Sequence, residues 1–234
     1  MNREEIQSMR RLYSERELAL PEDPILAFKG WLKEAAELPS IIEANAMVLS
    51  TLSTTIFSED KYTGSSLVNQ DLITSRSVLL KDVSDEGFTF FTNYNSRKAK
   101  AIEINPQVSL LFPWYAMERQ VIIQGIAERV SRSESESYFK TRPWSSQIGA
   151  WASHQSSYLP DRKEIEDRFK AAAEKWPEGS EVPTPPHWGG YLVRPFSIEF
   201  WQGRRSRLHD RIRFEKELES LNENANWVVN RYYP

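Results

Sequence analysis

The feature that most constrains the fold is a series of short strand-like segments in the middle of the chain. They are rich in β-branched and aromatic residues and cover residues 46–53, 73–83, 88–93, 107–114 and 119–130. Turn sequences such as Asp85-Glu86-Gly87 and Asn105-Pro106 separate them. Because regular helices do not alternate with these strands, the pattern predicts an antiparallel sheet that closes into a barrel rather than a parallel doubly wound fold.

Helical patterns precede and follow these strands. Residues 24–38 repeat apolar side chains with the period of an amphipathic helix, which Asp23 is placed to cap. Further helices are predicted over residues 96–105, 133–152 and 161–176, and further strands over residues 191–202, 209–215 and 227–232. The predicted fold class is mainly β with peripheral helices (α+β), in a single domain over residues 21–234 after a mobile arm over residues 1–20.

The composition excludes several kinds of site. Cysteine is absent, so disulfides and thiolate metal sites cannot form. The three histidines, His154, His187 and His209, lack metal-ligand spacing, and the glycines form neither a dinucleotide-binding fingerprint nor a P-loop. A net charge of −3 gives no general attraction to nucleic acid or anionic membranes. With no signal peptide and no long apolar run, the sequence predicts a cytoplasmic protein without metal, nucleic-acid or membrane partners.

Four clusters of cations and hydroxyl groups are the candidate sites. The first is residues 75–81, where Arg76 and Lys81 have opposite parity and so project from opposite faces of a regular strand. These cations either lie at two solvated strand ends or bind two different anions. The second is residues 92–98, which ends a strand and begins a helix. Cations in a first helical turn oppose the helix dipole unless an anion compensates, so this is either an ordinary capped helix or an anion site.

The third cluster contains Tyr138, Arg142 and Ser146 at four-residue steps. On a continuous helix they would share one face and suit a phosphate monoester, although Pro143 is expected to break such a helix. The alternative is a polar surface stripe.

The fourth cluster follows a strand in which apolar residues alternate with Ser197, Glu199 and Trp201. Four arginines and one histidine then fall within residues 204–211. This segment is either a solvated charge run, a nucleic-acid patch or a site for a phosphorylated or carboxylated ligand. The aromatic flank argues against a free charge run and the acidic pI argues against nucleic acid, so the ligand site is favoured.

With these residues in view, the sequence resembles the pyridoxine/pyridoxamine 5′-phosphate oxidase family. The resemblance runs from about Arg10 to Pro234. It rests on SRSVLLK (75–81), FFTNYNSRKA (90–99), NPQVSLLFPW (105–114), ERQVIIQG (118–125), YFKTRPWSSQIGAWAS (138–153), HWGGYLVRP (187–195) and EFWQGRRSRLHDR (199–211). It implies an FMN-binding split β-barrel that works as a homodimer with FMN at the subunit interface.

The resemblance also implies roles for individual residues. The flavin would be bound by Arg76, Ser77, Val78, Leu79, Leu80, Lys81, Phe91, Thr92, Arg97, Lys98, Gln120, Gln155, Ser156, Trp201 and Arg211. The substrate phosphate would be bound by Lys81, Tyr138, Arg142 and Ser146, and the rest of the substrate by Arg207, Leu208, His209 and an N-terminal cover of Arg10, Arg11, Leu12 and Tyr13. Arg207 and His209 are the implied catalytic residues, whereas Arg204 and Arg205 are expected to be replaceable.

The activity implied by the resemblance is the oxidation of pyridoxamine or pyridoxine 5′-phosphate to pyridoxal 5′-phosphate, with O₂ as electron acceptor and H₂O₂ as product. Three features depart from the family pattern. Phe91 stands where tyrosine is common, residues 55–72 form a longer hairpin loop, and the chain ends Arg231-Tyr232-Tyr233-Pro234. The loop either extends the dimer contact or is a flexible hairpin.

Two alternatives compete with this interpretation. A flavin-binding split-barrel protein of other or no catalytic activity would keep Arg76, Arg97 and Lys98 without the substrate residues. An RNA-binding module built on residues 203–213 would bind RNA with a steep salt dependence and would be colourless.

Overall fold

The barrel predicted from the sequence is present. The structure is a computed structural model that describes residues 3–9, 13–14, 18–53, 72–216 and 226–234. Its strands are β1 (Ala46–Ser53), β2 (Leu72–Ser84), β3 (Gly87–Asn93), β4 (Gln107–Trp114), β5 (Arg119–Arg129), β6 (Trp188–Gln202), β7 (Asp210–Glu215) and β8 (Val228–Tyr232). The strand order is β3-β2-β1-β4-β5-β6-β7-β8, and an additional β3–β6 pairing closes the first six strands into an antiparallel barrel.

Within the described ranges the structure has six α-helices, and the one predicted to be capped by Asp23 begins at Pro24. The helices are α1 (Arg3–Ser8), α2 (Pro24–Glu37), α3 (Arg97–Ile104), α4 (Arg132–Thr141), α5 (Trp144–Ala152) and α6 (Arg162–Lys175). The carboxylate of Asp23 accepts the backbone N–H groups of Ile25 and Leu26 at the start of α2. The helical stretch predicted over residues 133–152 is two helices, because Pro143 has no N–H and its ring excludes the preceding helical turn.

By its internal contacts the chain divides into two compact units, which we call unit 1 and unit 2. Unit 1 comprises residues 1–47, 110–124 and 195–234, and unit 2 comprises residues 48–109 and 125–194. The prediction of a single domain over residues 21–234 stays a prediction.

The core of unit 1 is aromatic. Phe28 of α2 is completely buried and meets the Phe112 ring edge-on, with a centroid distance of 4.8 Å. Trp31, one helical turn later, packs edge-on against Phe200 of β6 at 5.1 Å. The side of α2 that the sequence marks as apolar is therefore the side that is buried.

The core of unit 2 contains a cluster of Phe139, Ile148, Val182 and Trp188. It packs α4, α5 and α6 against the start of β6, and partly buried tryptophans extend it. None of the helices within the described ranges is long and apolar enough to span a membrane. The loop predicted over residues 55–72 lies outside the described residues, except for Leu72 at the start of β2.

Candidate active site

In unit 2, the first two sequence clusters come together as a cation cluster of Arg76, Arg97 and Lys98. The guanidinium of Arg76 donates to the carbonyl of Leu49 and to the hydroxyl oxygens of Thr51 and Thr74, which are all neutral. Burial lowers the pKa of Arg76, and the charge of Arg97 lowers it further. Within the described residues, Arg76 therefore has neutral acceptors and a second cation nearby but no counter-charge, which normally accompanies a half-buried arginine.

Lys98 is the most buried member of the cation cluster, with 8% of its surface exposed. Its Nζ lies 3.2 Å from the Thr92 hydroxyl, 3.3 Å from the Gln155 Oε1 and 3.4 Å from the Ser96 hydroxyl. Burial, together with the charge of Arg76, lowers the pKa of Lys98 to about 8. The sequence clusters at residues 75–81 and 92–98 are thus joined through electrostatic contact between their cations.

The position of the cation cluster strengthens its preference for an anion. Arg97 and Lys98 lie in the first turn of α3, and this turn contains no acidic residue. Ser96 caps the helix. The positive end of the helix dipole adds to the two side-chain charges. Within the described ranges, no carboxylate forms an ion pair with any of the three cations. The arrangement therefore suits a phosphate group.

Lys81 lies at an irregularity that the sequence did not reveal. Leu80 pairs with Phe90 and Asp82 with Thr89, so Lys81 is an extra residue in β2, as in a β-bulge. Lys81 is exposed, whereas Leu80 is buried. The bulge, and not strand parity alone, sets the direction of Lys81. Of the other flavin candidates in β2, Ser77 is exposed and Val78 and Leu79 are partly buried.

Arg142 is the centre of the third cluster. It caps the C-terminus of α4, and its Nη1 is buried with no hydrogen-bond partner in the described structure. Its guanidinium lies over the Trp188 ring, with the Cζ 4.8 Å from the centroid. Burial lowers the pKa of Arg142, and the nearby Tyr138 opposes this shift. A buried donor without an acceptor is costly, so this Nη1 is suited to an acceptor supplied by a ligand.

The helix break changes how the third cluster is arranged. Because Pro143 separates α4 from α5, the four-residue steps from Tyr138 to Ser146 do not run along one helix face. Ser146 is partly buried in the first turn of α5. The Gln147 side chain of α5 connects the two helices by donating to the carbonyl groups of Phe139, Lys140 and Arg142 at the end of α4.

In unit 1, Trp201 and Arg211 are directly paired across β6 and β7, so their side chains share one face of the sheet. Glu199, only 5% exposed, accepts two hydrogen bonds from Arg211 and two from Arg213. Arg211 also donates to the carbonyl of Tyr233. A buried carboxylate thus holds Arg211 in a fixed direction beside Trp201.

The fourth cluster ends in a strained turn. Ser206 and Arg207 have φ values of 57° and 62°, in the left-handed region that disfavours residues with a side chain. The backbone N–H of Arg204 donates to the Nδ1 of His209 over 3.0 Å. The neutral His209 ring therefore carries its proton on Nε2. Strain of this kind clusters at functional sites.

The charge state of His209 is set by its neighbours. Burial lowers the pKa of His209, and the charge of Arg207 lowers it further. Arg204, which the sequence interpretation left outside the site, donates its N–H to this ring and pairs its guanidinium with Asp210 over 3.2 Å. Its backbone contribution could not be recognised from residue type.

Tyr13, from the N-terminal cover, packs edge-on against both Trp201 and His209, at centroid distances of 5.9 and 5.4 Å. The next residue, Ser14, donates its N–H and its hydroxyl to one carboxylate oxygen of Glu118. Glu118 itself has a φ of 57°. Ser14 and Glu118 were not among the sequence candidates, and they are 104 positions apart.

The remaining candidates are placed as follows. Thr92 and Gln155 contact Lys98 of the cation cluster, and the Thr92 hydroxyl donates to Gln155. Ser156 lies in a left-handed backbone conformation with a φ of 69°. Gln120 is partly buried on β5, and Leu208 is 68% exposed. Arg10, Arg11 and Leu12 lie outside the described residues. The Phe91 ring stacks on Tyr138, so its side chain contacts a residue of the third cluster.

Two family models match the chain. The model described as pyridoxamine 5′-phosphate oxidase matches residues 33–176. The model described as the pyridoxine 5′-phosphate oxidase C-terminal dimerisation region matches residues 188–234. Between them they account for most of the sequence, including every candidate site residue from Arg76 to Arg211.

Two relatives that match nearly the whole chain are pyridoxine/pyridoxamine 5′-phosphate oxidases. The pyridoxine/pyridoxamine 5′-phosphate oxidase of Streptomyces avermitilis is 42% identical over 221 residues, which cover 93% of this chain and 90% of the relative. That of Flavobacterium johnsoniae is 43% identical over 230 residues, with coverages of 97% and 98%. The similarity therefore spans nearly the whole length of both proteins.

Solved structures share the fold. PhzG from Burkholderia lata 383, solved with tetrahydrophenazine-1-carboxylic acid, has a TM-score of 0.76 at 27% identity and covers 92% of this chain and 94% of its own. A pyridoxamine 5′-phosphate oxidase-related, FMN-binding protein from Nostoc punctiforme has a TM-score of 0.64 at 12% identity, with coverages of 88% and 97%. The split-barrel fold predicted from the resemblance is confirmed.

Proposed function

The chain belongs to the pyridoxamine 5′-phosphate oxidase family, and on that premise we propose that it oxidises pyridoxamine 5′-phosphate and pyridoxine 5′-phosphate to pyridoxal 5′-phosphate. We further propose FMN as cofactor, O₂ as electron acceptor and a homodimer with FMN at the interface. With the amine substrate, water is also consumed and ammonia is released. The observation that carries the substrate assignment is Arg142, whose buried Nη1 lacks a partner in the described structure. A phosphate oxygen on the substrate would supply the missing acceptor.

The cation cluster supports FMN as the second phosphorylated ligand. Arg76, Arg97 and Lys98 present three positive charges beside a helix N-terminus, and within the described ranges the hydrogen-bond acceptors of Arg76 and Lys98 are all neutral. The phosphate of FMN would compensate these charges, while Trp201 and Arg211 are assigned to the flavin by the resemblance. FMN, when bound, supplies the acceptor for the two electrons that leave the substrate and allows their transfer to O₂.

The residues of the chain would bind and orient the substrate. Arg142, Tyr138, Ser146 and Lys81 would hold its phosphate. His209 would donate a hydrogen bond from Nε2, because its Nδ1 already accepts the N–H of Arg204. Arg207 would place a full positive charge beside the reacting end and would keep His209 neutral. Tyr13 would exclude water from the His209 and Trp201 rings.

A direct test is oxygen uptake with pyridoxamine 5′-phosphate and with unphosphorylated pyridoxamine. We expect uptake with matching H₂O₂ release for the phosphorylated substrate and much weaker activity for the unphosphorylated one. A protein that retains FMN but consumes no oxygen with either substrate would instead be the flavin-binding split-barrel protein of other or no activity. A colourless protein that binds RNA would support the nucleic-acid interpretation.

Replacing Lys98 with methionine should weaken FMN binding roughly 10- to 100-fold at pH 7, since a charge-assisted hydrogen bond to phosphate is lost. The effect should depend on pH. The pKa of Lys98 is about 8, so the wild-type protein loses this positive charge, and with it FMN affinity, as the pH rises above 8. The variant should show a much flatter profile. Fluorescence titrations of FMN between pH 7 and 9 measure both effects.

Lys100→Met is the matched control, because Lys100 is an exposed lysine two residues further along α3. It should bind FMN with the wild-type pH profile. If Lys98→Met loses FMN affinity above pH 8 as steeply as the wild type, the assignment of Lys98 to the FMN phosphate is wrong.

Replacing Arg207 with methionine should raise the pKa of His209, because a nearby positive charge that disfavours the imidazolium is removed. In the variant, His209 would therefore take up its proton at a higher pH than in the wild type. NMR titration of the His209 ring in the two proteins measures the change. Arg205→Met, which alters the exposed arginine two positions away, should leave the pKa of His209 unchanged. An equal shift in both variants would show that Arg207 does not set the pKa of His209.

A further inference from the structure

Trp188 belongs to an aromatic stack in unit 2 that has Phe91 at its centre. The Phe91 ring is stacked on Tyr138 at 4.1 Å and on Trp188 at 5.4 Å, with interplanar angles of 22° and 11°. Tyr138 and Trp188 are nearly parallel to each other, with centroids 6.2 Å apart. The three rings, which we call the ring stack, therefore form one rigid group.

The sheet register creates the ring stack. Phe91 pairs with Gly190 and Asn93 with Trp188, so Phe91 and Trp188 are diagonal neighbours on one face of β3 and β6. A Cβ at residue 190 would lie 2.8 Å from the Phe91 ring, closer than side chains tolerate. Glycine at this position therefore leaves the space in which the Phe91 ring reaches Trp188.

Two substrate-phosphate candidates depend on the ring stack. Tyr138 is one of its rings, and Arg142 lies over another, with its Cζ 4.8 Å from the Trp188 centroid. Phe139, between them in α4, meets Trp188 edge-on at 5.0 Å. An arginine that forms no ion pair within the described ranges would otherwise sample many rotamers. The indole surface fixes its direction, while its buried Nη1 has no acceptor within the described residues.

Trp188 is itself held in place. It is 6% exposed, and its carbonyl accepts a hydrogen bond from Arg132. The same guanidinium donates to the carbonyl groups of Pro185 and Thr184. The segment that carries Trp188 is therefore fixed before any ligand binds, as a platform for Arg142 requires.

We propose that Trp188 is the positioning residue of the substrate-phosphate site: its indole holds Arg142 directly and holds Tyr138 through Phe91. The inference rests on the proposed function, since it assigns Arg142 and Tyr138 to the phosphate of the substrate. It adds to the site a residue that acts through Arg142 and Tyr138. Its consequence is that Trp188 governs affinity for the phosphate of the substrate and leaves FMN binding and the redox step unchanged.

The test uses the FMN-saturated protein and inorganic phosphate as a competitive inhibitor against pyridoxamine 5′-phosphate. Trp188→Leu should raise the KM and the Ki of phosphate together, each about tenfold, the scale of a desolvated cation–π contact. The kcat and the Kd of FMN should stay within about twofold of wild type. Trp188→Phe keeps an aromatic ring and should give a smaller rise of about threefold in both constants.

Trp151→Leu is the matched control, because Trp151 belongs to the same hydrophobic cluster but donates to the carbonyl of Pro183 and packs on Trp176. It should leave the Ki of phosphate unchanged. If Trp188→Leu does not fold, Trp188→Phe decides alone. A phosphate Ki equal to wild type in the Trp188 variants, or an equal rise in Trp151→Leu, overturns the proposal. Failure of the wild type to bind FMN or consume oxygen would instead overturn the proposed function.

Discussion

Arg142→Ala should raise the KM for pyridoxamine 5′-phosphate by about 30- to 100-fold, the range expected when a charge-assisted hydrogen bond to phosphate is lost. Burial, which lowers the pKa of Arg142, has already removed water from its guanidinium. Binding of an anion therefore carries only a small additional desolvation cost at this side chain. The kcat should change much less, because the phosphate lies away from the reacting carbon. Steady-state oxygen uptake at saturating FMN measures both constants.

The loss in Arg142→Ala should be specific to the phosphate. Activity with unphosphorylated pyridoxamine, however weak, should be almost the same in the variant and the wild type. Lys140→Ala is the matched control, since Lys140 is an exposed cation of the same helix that pairs with the exposed Glu181. Equal losses on both substrates, or an equal loss in the control, would show that Arg142 acts on the fold and not on the phosphate.

Arg207→Ala should lower kcat on the order of 100-fold while FMN remains bound, because a positive charge beside the reacting end of the substrate is removed. The strained φ of 62° at Arg207 supports such a role, since a backbone held in this region usually serves a functional purpose. Rapid-reaction measurements of flavin reduction under anaerobic conditions report the step directly. The FMN content of the purified variant is read from its absorbance.

Arg205→Ala controls for the general loss of an exposed arginine from the same turn. It should retain kcat within about twofold, as expected of a surface substitution. Release of FMN from Arg207→Ala with unchanged substrate turnover would assign Arg207 to the cofactor and contradict its placement at the reacting end of the substrate.

Much of the fold could be predicted because local signals and the final structure agree. The β-branched and aromatic content of residues 46–53 and 107–114 locates β1 and β4 with the bounds that the structure has. Asp23 caps α2 as its residue type suggests, and Pro143 ends the continuous helix between Tyr138 and Ser146. In each case the signal lies within a few residues of the feature it specifies.

The sequence was less informative where distant residues meet. In the sequence, Glu199 is one polar residue within a strand. The β6–β7 pairing is what brings it close enough to accept hydrogen bonds from Arg211. Trp188 acquires its position because Gly190 faces Phe91 across two strands. Such contacts depend on strand register, which residue types alone do not fix.

Backbone conformation was a second source of unpredicted features. Ser206 and Arg207 adopt left-handed φ values without a glycine to signal them. The extra residue at Lys81 likewise has no marker in the surrounding strand. Both features decide where a candidate side chain points, so the chemistry of the site could be proposed from sequence while its geometry could not.

The most direct test of the central claim is an anaerobic absorbance measurement on the purified, FMN-loaded protein. Addition of pyridoxamine 5′-phosphate should bleach the flavin band, and admission of air should restore it with one H₂O₂ released per pyridoxal 5′-phosphate formed. A protein that binds FMN but keeps its full flavin absorbance when pyridoxamine or pyridoxine 5′-phosphate is added would contradict the claim that this chain is their oxidase.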